Sequence, residues 1–380
     1  MGYTHLKRAI VLFALLSCVS AGAQTPSPSD AQALEQQGKL TEAEKAWRLV
    51  VQQNPHDAAA HASLGVVLSR QGKYAEAVLA YKKALTLSPK LPGAQLNLGL
   101  AEFKQGHFQA AVAPLSAALA AEPANTQART LLGLSCYGAG QFAEASSYLA
   151  PVAKLDPDNT ELHRVLAQSC LGAKKYSCAL EEFRNIQQRD PDSAAAHMLT
   201  GEALDGLGRT PEAIEEFEAA AKISPREPEV NFGLGFLQWK LLHYDEAKSA
   251  LQTELSMDPN HAQALAYLGD IELKDNDLDK ALPLLEKAVK IRSDVRIAYV
   301  DLGAILMQEK RYQDAMVALQ HAVKLDPAQP DSHFRLGRLY QAMGNTTAAQ
   351  QEFARVRELH EKAEEDVASK LSAPPPSVPQ

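Results

Sequence analysis

The chain has 380 residues, 46% hydrophobic and only 6% aromatic, with a formal net charge of −8. Enough apolar surface is present to bury a sizeable core, which excludes a largely disordered chain. Abundant alanine with few aromatics favours packed helices over sheets. The acidic balance, with no strong basic run after the first ten residues, makes nucleic acid a poor partner.

The N-terminal segment has the form of a signal peptide. Lys7 and Arg8 precede an apolar stretch, Ala9 to Val19, and Ala21-Gly22-Ala23 follow as a small-residue cleavage site. Residues 1–23 are therefore expected to be removed and the protein exported, to the periplasm or the cell envelope. Leu15-Leu16-Ser17-Cys18 also resembles a lipobox, so a lipid anchor at Cys18 stands as the alternative to cleavage after Ala23. No later segment reaches 18 consecutive apolar residues, so no membrane span is expected after signal removal.

From residue 24 the chain is periodic. Pro55, Pro89, Pro123, Pro157, Pro191, Pro225 and Pro259 stand 34 residues apart, with Pro327 two periods on and Ser293 in the intermediate slot. Ala43, Ala77, Ala111, Ala145, Ala179, Ala213, Ala247, Ala281, Ala315 and Ala349 keep the same spacing throughout. A glycine ladder comprises Gly65, Gly99, Gly133, Gly201, Gly235, Gly269, Gly303 and Gly337, with Ala167 in the gap. The phase divides the chain into ten units: 24–57, 58–91, 92–125, 126–159, 160–193, 194–227, 228–261, 262–295, 296–329 and 330–363.

The ladders read as a helix hairpin. A glycine inside a helix costs about 1 kcal/mol relative to alanine and is tolerable where another helix approaches closely. The alanine twelve residues later is expected to be the complementary small surface on that second helix. Gly38, Gly72, Gly106, Gly140, Gly208 and Gly344 suit the left-handed turn between the two helices, and the terminal proline stops the second. Asp57, Asn125, Asn159 and Ser193 stand where N-caps belong. Pro92, Pro228 and Pro330 are placed for first helical positions, and Thr41 with Glu44 for a capping box. Pro114, Pro151 and Pro283 fall inside second helices and are expected to bend or break them. Repeat eight, with Pro283, Asn276 and Ser293, is expected to be the weakest joint.

The unit resembles the tetratricopeptide repeat. In the second unit it reads His61-x-x-Leu64-Gly65-x-x-Leu68, then Gly72-x-Tyr74-x-x-Ala77, Tyr81, Ala84 and Pro89. The match covers nearly the whole chain after residue 23. The resemblance implies an all-α, right-handed superhelical solenoid of about ten helix-turn-helix repeats, with first helices lining a concave groove that holds a peptide or partner protein. The last second helix is expected to run on through 364–372 as a charged cap, and 373–380 to form a disordered Pro-rich tail.

Within first helices, positions two, five, nine and twelve share one face. Read onto the repeats, that face holds Leu96, Leu100 and Phe103, then Leu134 and Tyr137, then a polar stretch including Arg164, Glu202 and Asp205, then Phe232, Phe236 and Trp239. Such aromatics are either anchors for a bound segment or packing against neighbouring helices. The version of the repeat that grips acidic C-terminal tails places Lys, Asn and Arg on this face. Here Asn97 fills one slot, but Ala62, Val66, Gln127 and Leu131 occupy others, so apolar or mildly basic segments are the expected occupants.

No catalytic, phosphate-binding or cofactor motif is present. His61, His163, His197 and His333 recur at the fourth position of their units, too dispersed for a metal site, and are read as packing. Cys170 and Cys178 could meet across a hairpin or simply be buried small hydrophobes. The expectation is a non-enzymatic interaction scaffold without cofactor or metal. The alternative is a lipid-anchored accessory subunit of an envelope assembly such as a pilus, secretion or polysaccharide-export machine.

Overall fold

The computed structural model describes residues 26–372, with side chains through 365. Residues 1–23, expected as a signal peptide, with Cys18 and Ala23, and the Pro-rich tail 373–380 lie outside the described residues. Among these residues there are twenty α-helices and no strand. They divide between Val152 and Ala153 into two compact units.

The first unit holds α1 (Pro28–Gln36), α2 (Leu40–Gln53), α3 (Ala58–Arg70), α4 (Tyr74–Leu87), α5 (Ala94–Lys104), α6 (Phe108–Ala121), α7 (Thr126–Gly138) and α8 (Phe142–Ala153), which reaches the boundary. The second begins with α9 (Thr160–Gly172), α10 (Tyr176–Arg189), α11 (Ala194–Gly206), α12 (Thr210–Ile223), α13 (Val230–Lys240) and α14 (Tyr244–Met257). It continues with α15 (Ala262–Lys274), α16 (Leu278–Ile291), α17 (Arg296–Gln308), α18 (Tyr312–Leu325), α19 (Pro330–Ala342) and α20 (Thr346–Ser372). Odd-numbered helices pack on the next even-numbered one, and each pair packs on the next pair within its unit.

The turn inside each pair is a Schellman motif. In the second repeat Lys73 N–H donates to the Leu68 carbonyl (2.9 Å) and Gly72 N–H to that of Ser69 (3.0 Å), satisfying carbonyls the helix end would leave open. Gly72 adopts φ +75° there. Four repeats make the same turn without glycine, at Lys174, Leu242, Asn276 and Lys310, with φ of 57–64°. Asp57, Asn125, Asn159 and Ser193 each accept the backbone N–H three residues on, at 2.9–3.3 Å.

Three local expectations are corrected. The turn delivers Lys39, not Thr41, to the N-cap of α2, so the Thr41–Glu44 capping box does not form. Glu44 instead faces the next repeat and accepts from Lys73 (2.6 Å) and Gln71 (2.9 Å). A capping box does join Ser27 and Asp30 at the start of α1. Pro330 occupies a first helical position, but α5 and α13 begin two residues after Pro92 and Pro228, behind left-handed Gly93 and Glu229. The helices carrying Pro114, Pro151 and Pro283 run through them unbroken. One backbone rung is lost at each, and packing of the helix face against its neighbours holds the rest.

The ladders also change meaning. Nine of the ten ladder alanines are 0% exposed and Ala349 is 4% exposed, so no larger group fits there. The glycine, however, makes room chiefly for the large residue sixteen positions later, not for the alanine. A Cβ at Gly65 would meet the Tyr81 ring, at Gly201 that of Phe217, and at Gly269 and Gly303 the branch points of Leu285 and Leu319. The alanine contributes its backbone: the Ala213 and Ala247 carbonyl oxygens stand 3.2–3.3 Å from a Cβ built at Gly201 and Gly235. In repeat eight, Leu265, Ala281, Leu285, Ala288 and Val295 share one cluster with Ala298, Leu302 and Ile305 of the next repeat.

The histidine ladder bonds as well as packs. His163, His197 and His333 place Nδ1 2.5–2.6 Å from Glu182, Glu216 and Glu352 on the second helix of the same repeat. His61, His197 and His333 place Nε2 3.1–3.2 Å from the carbonyl of the preceding Pro55, Pro191 and Pro327. Arg129 serves Pro123 in the same way at 2.7 Å.

Cys170 and Cys178 are joined by a disulfide with Cα atoms 5.8 Å apart, so the reading of both as buried hydrophobes gives way. The bond staples α9 to α10, and closing a loop this short is worth about 2–3 kcal/mol by chain entropy. Cys136 is a free thiol; its burial first, and Glu144 second, push its pKa up to about 11.

Candidate partner-binding face

In the first unit, Leu96 and Phe103 of α5 and Tyr137 of α7 lie half-buried against the cluster of Ala111, Leu115, Leu132, Cys136 and Ala145. Phe103 meets Phe108 edge-on at 5.5 Å and Tyr137 meets Phe142 at 5.9 Å. These rings are largely consumed in packing the hairpin turns. Leu100 and Leu134 are also half-buried. Leu96 borders an apolar recess of about 310 Å³ beside the Leu91–Gly93 loop.

In the second unit the face is acidic and aromatic. Arg164 of α9 is exposed and bonded to Glu161 at 2.5 Å. Phe232, Phe236 and Trp239 of α13 follow one another at 6.3 and 6.1 Å between ring centroids. Tyr267 of α15 closes the set, 6.1, 5.3 and 4.8 Å from those three rings. Tyr267 stands at the sixth position of its helix, one step off the face that single-helix periodicity selects. Trp239 donates its indole N–H to Asp270 at 2.5 Å, with Lys274 over the ring at 5.5 Å. Phe232 and Trp239 pack on the core formed by Ala247, Leu251, Ala264, Leu268 and Ile271. They are thus structural as much as exposed, whereas Phe236 is half-buried on the rim of a recess.

That recess, about 280 Å³, brings together Glu202 and Asp205 of α11 with Phe232 and Phe236 of α13, and adds Met198, Phe217 and Glu229. Asp205 is already engaged, accepting from Lys240 (2.7 Å) and Thr210 (2.6 Å). Glu229 faces His261 Nε2 at 3.1 Å from both oxygens. His261 Nδ1 accepts the Ala264 backbone N–H at 3.0 Å, so Nε2 carries the proton and donates it to Glu229. Glu202 is reachable by solvent within the recess. Crowding by its surroundings, then the nearby Glu229 charge, raise its carboxyl pKa above the usual value.

Behind the rings lies a buried acidic pair. Asp301 of α17 is 4% exposed, and its Oδ2 has no hydrogen-bond partner. Burial first, then the neighbouring Asp270, hold its pKa well above the ordinary carboxylate range, against the opposing pull of Lys274 and Arg335. Among the described residues, no group of three or more His, Cys, Asp and Glu is placed to hold a metal ion, and no helix is long and apolar enough to cross a membrane.

Comparison with solved structures finds similar helix-pair arrays at low identity. The Cut9–Hcn1 hetero-tetramer of the APC/C is 15% identical over 87% of this chain and 80% of that chain, with a TM-score of 0.53. Yeast Tom70 is 15% identical over 90% of this chain and 93% of its own, with a TM-score of 0.44. YrrB, described as a TPR protein with an unusual peptide-binding site, is 19% identical over 50% of this chain and 99% of its own, with a TM-score of 0.37. At 15% identity the likeness to the first of these is one of fold. No curated protein sequence matches the chain. Two family models described as tetratricopeptide repeat match it, one at residues 30–92, 232–296 and 276–330, the other at 68–135, 102–169, 136–203 and 306–373. With helix pairs in 34-residue phase and these matches over most of its length, the chain belongs to the tetratricopeptide repeat family.

Proposed function

We propose that the protein is a non-catalytic interaction scaffold that holds a peptide or an extended partner segment on the first-helix face of its second unit. The observation that carries this reading is the recess between α11 and α13, with Phe236 and Glu202 both accessible on its wall. Half-buried aromatics beside a preformed hollow are the usual anchors of a bound chain, because they offer large contact area at little entropic cost.

The protein acts outside the cytoplasm in this reading. Its support is the form of residues 1–23 together with the Cys170–Cys178 disulfide, a bond that persists in oxidising compartments. Mass spectrometry of the mature N terminus decides between a soluble form beginning at Gln24 and a lipid-anchored form beginning at Cys18.

The binding reading is tested by crosslinking and pull-down from the native envelope with wild type and Phe236→Ala. Phe236 is half-buried at the rim of the recess, so far-UV circular dichroism of the variant should match wild type, and capture of the partner should fall about tenfold, the scale of one interface anchor. Capture at the wild-type level with Phe236→Ala removes the recess from the binding face.

A further inference from the structure

We propose that the α11–α13 recess is a pocket for one cationic side chain, a lysine or arginine flanked by apolar residues in the partner segment, held between the Phe232 and Phe236 rings and the Glu202 carboxylate. The proposal rests on the binding reading above and names the chemistry of its occupant.

The charge of the recess is unbalanced in one direction. Three carboxylates, Glu202, Asp205 and Glu229, border it. Asp205 is matched by Lys240. Glu229 is met by a histidine whose other ring nitrogen is occupied as an acceptor. Glu202 has neither a hydrogen-bond nor an ion-pair partner, and it sits close enough to Glu229 for that charge to disfavour its own ionisation. An incoming ammonium or guanidinium relieves both strains at once: it pairs with Glu202 and screens it from Glu229. An anionic occupant would add to the repulsion.

The backbone fixes where the Glu229 carboxylate stands. Glu229 adopts φ +68°, a left-handed conformation that strains an ordinary side chain. In the third repeat the same position, one residue after the proline and at the start of the first helix, is Gly93 with φ +72°. A carboxylate thus stands at a position that suits glycine, and it borders the recess. The remaining wall suits the rest of a basic side chain. Met198, Phe217 and Leu237 offer apolar surface for its methylene stem. The Phe232 and Phe236 rings line the recess where its charged end would sit.

The test selects binders for the full-length protein from a displayed library of random twelve-residue peptides and measures the enriched peptides by fluorescence anisotropy. The expected result is enrichment of sequences with a lysine or arginine beside apolar residues. For one such peptide, Glu202→Gln should weaken binding about tenfold, the scale of one desolvated cation contact. Replacing the peptide's basic residue with norleucine, which keeps the stem and removes the charge, should weaken it to the same extent. The two changes together should be no worse than either alone. Glu202 is exposed, so the Gln variant folds, which far-UV circular dichroism verifies. If binders emerge without a basic residue, or if the two changes add independently, the cation pocket is refuted while the scaffold reading stands. If no peptide is enriched by wild type, the binding reading itself fails, and the pocket with it.

Discussion

Replacing Gly303 with alanine tests the packing logic of the whole array, because two opposing effects of known size meet at one atom. A Cβ at this position would lie 2.5 Å from both Cγ and Cδ2 of Leu319 and 3.2 Å from Cδ1. Carbon atoms in contact prefer about 3.5–4.0 Å, so Leu319 must retreat by about 1 Å. It has nowhere to go: it is 0% exposed and packed with Leu306, Ala315, Leu336 and Leu339. Overpacking of this kind costs about 1–3 kcal/mol. Replacing an interior helical glycine with alanine returns about 1 kcal/mol. The net expectation is destabilisation of about 1 kcal/mol, read as a lowered urea midpoint by circular dichroism. Leu319→Ala alone should cost about 2–5 kcal/mol. In that background the sign reverses: Gly303→Ala now enters vacated space and should stabilise by about 1 kcal/mol, a coupling of about 2 kcal/mol across the double-mutant cycle. If Gly303→Ala has the same effect in both backgrounds, the glycine does not serve the residue sixteen positions on.

Leu242 holds φ +64° with its side chain 67% exposed, so Leu242→Gly relieves backbone strain without losing buried area. A gain of about 0.5–1 kcal/mol in urea unfolding is expected, and a smaller gain from Asn276→Gly, since Asn tolerates this conformation better; equal effects at the two sites would count against the strain argument. Asp301 has its folded-state pKa raised, so it favours folding only while protonated, and stability is lost as pH rises from its unfolded value of 3.8 through the raised one. Asp301→Asn should therefore stabilise the protein at pH 7 by about 1–3 kcal/mol and lose that advantage toward pH 3.8; a gain independent of pH would mean that Asp301 does not carry the titration.

The 34-residue period, the helical class and the alternation of first and second helices were all legible in the amino-acid sequence, because they rest on local rules that repeat. Small residues recur where helices touch, glycine where the chain turns left-handed, and Asp, Asn or Ser where a helix begins. Other assignments needed neighbours that spacing along one helix does not reveal. The glycine's partner is Tyr81, Leu285 or Leu319 because side chains of the second helix lean back across the hairpin, a direction no single-helix pattern contains. Cys170 and Cys178 are bonded because the α9–α10 turn brings their Cα atoms to 5.8 Å, a distance eight intervening steps of chain could equally have missed. The aromatic face shows the same division. Phe232, Phe236 and Trp239 share one helical stripe in the sequence, yet adjoining α15 draws Trp239 to Asp270 and packs Phe232 on the core, leaving Phe236 beside the recess. Periodicity determines which residues point toward a face; the contacts made by the next repeat decide which of them remain available to a partner.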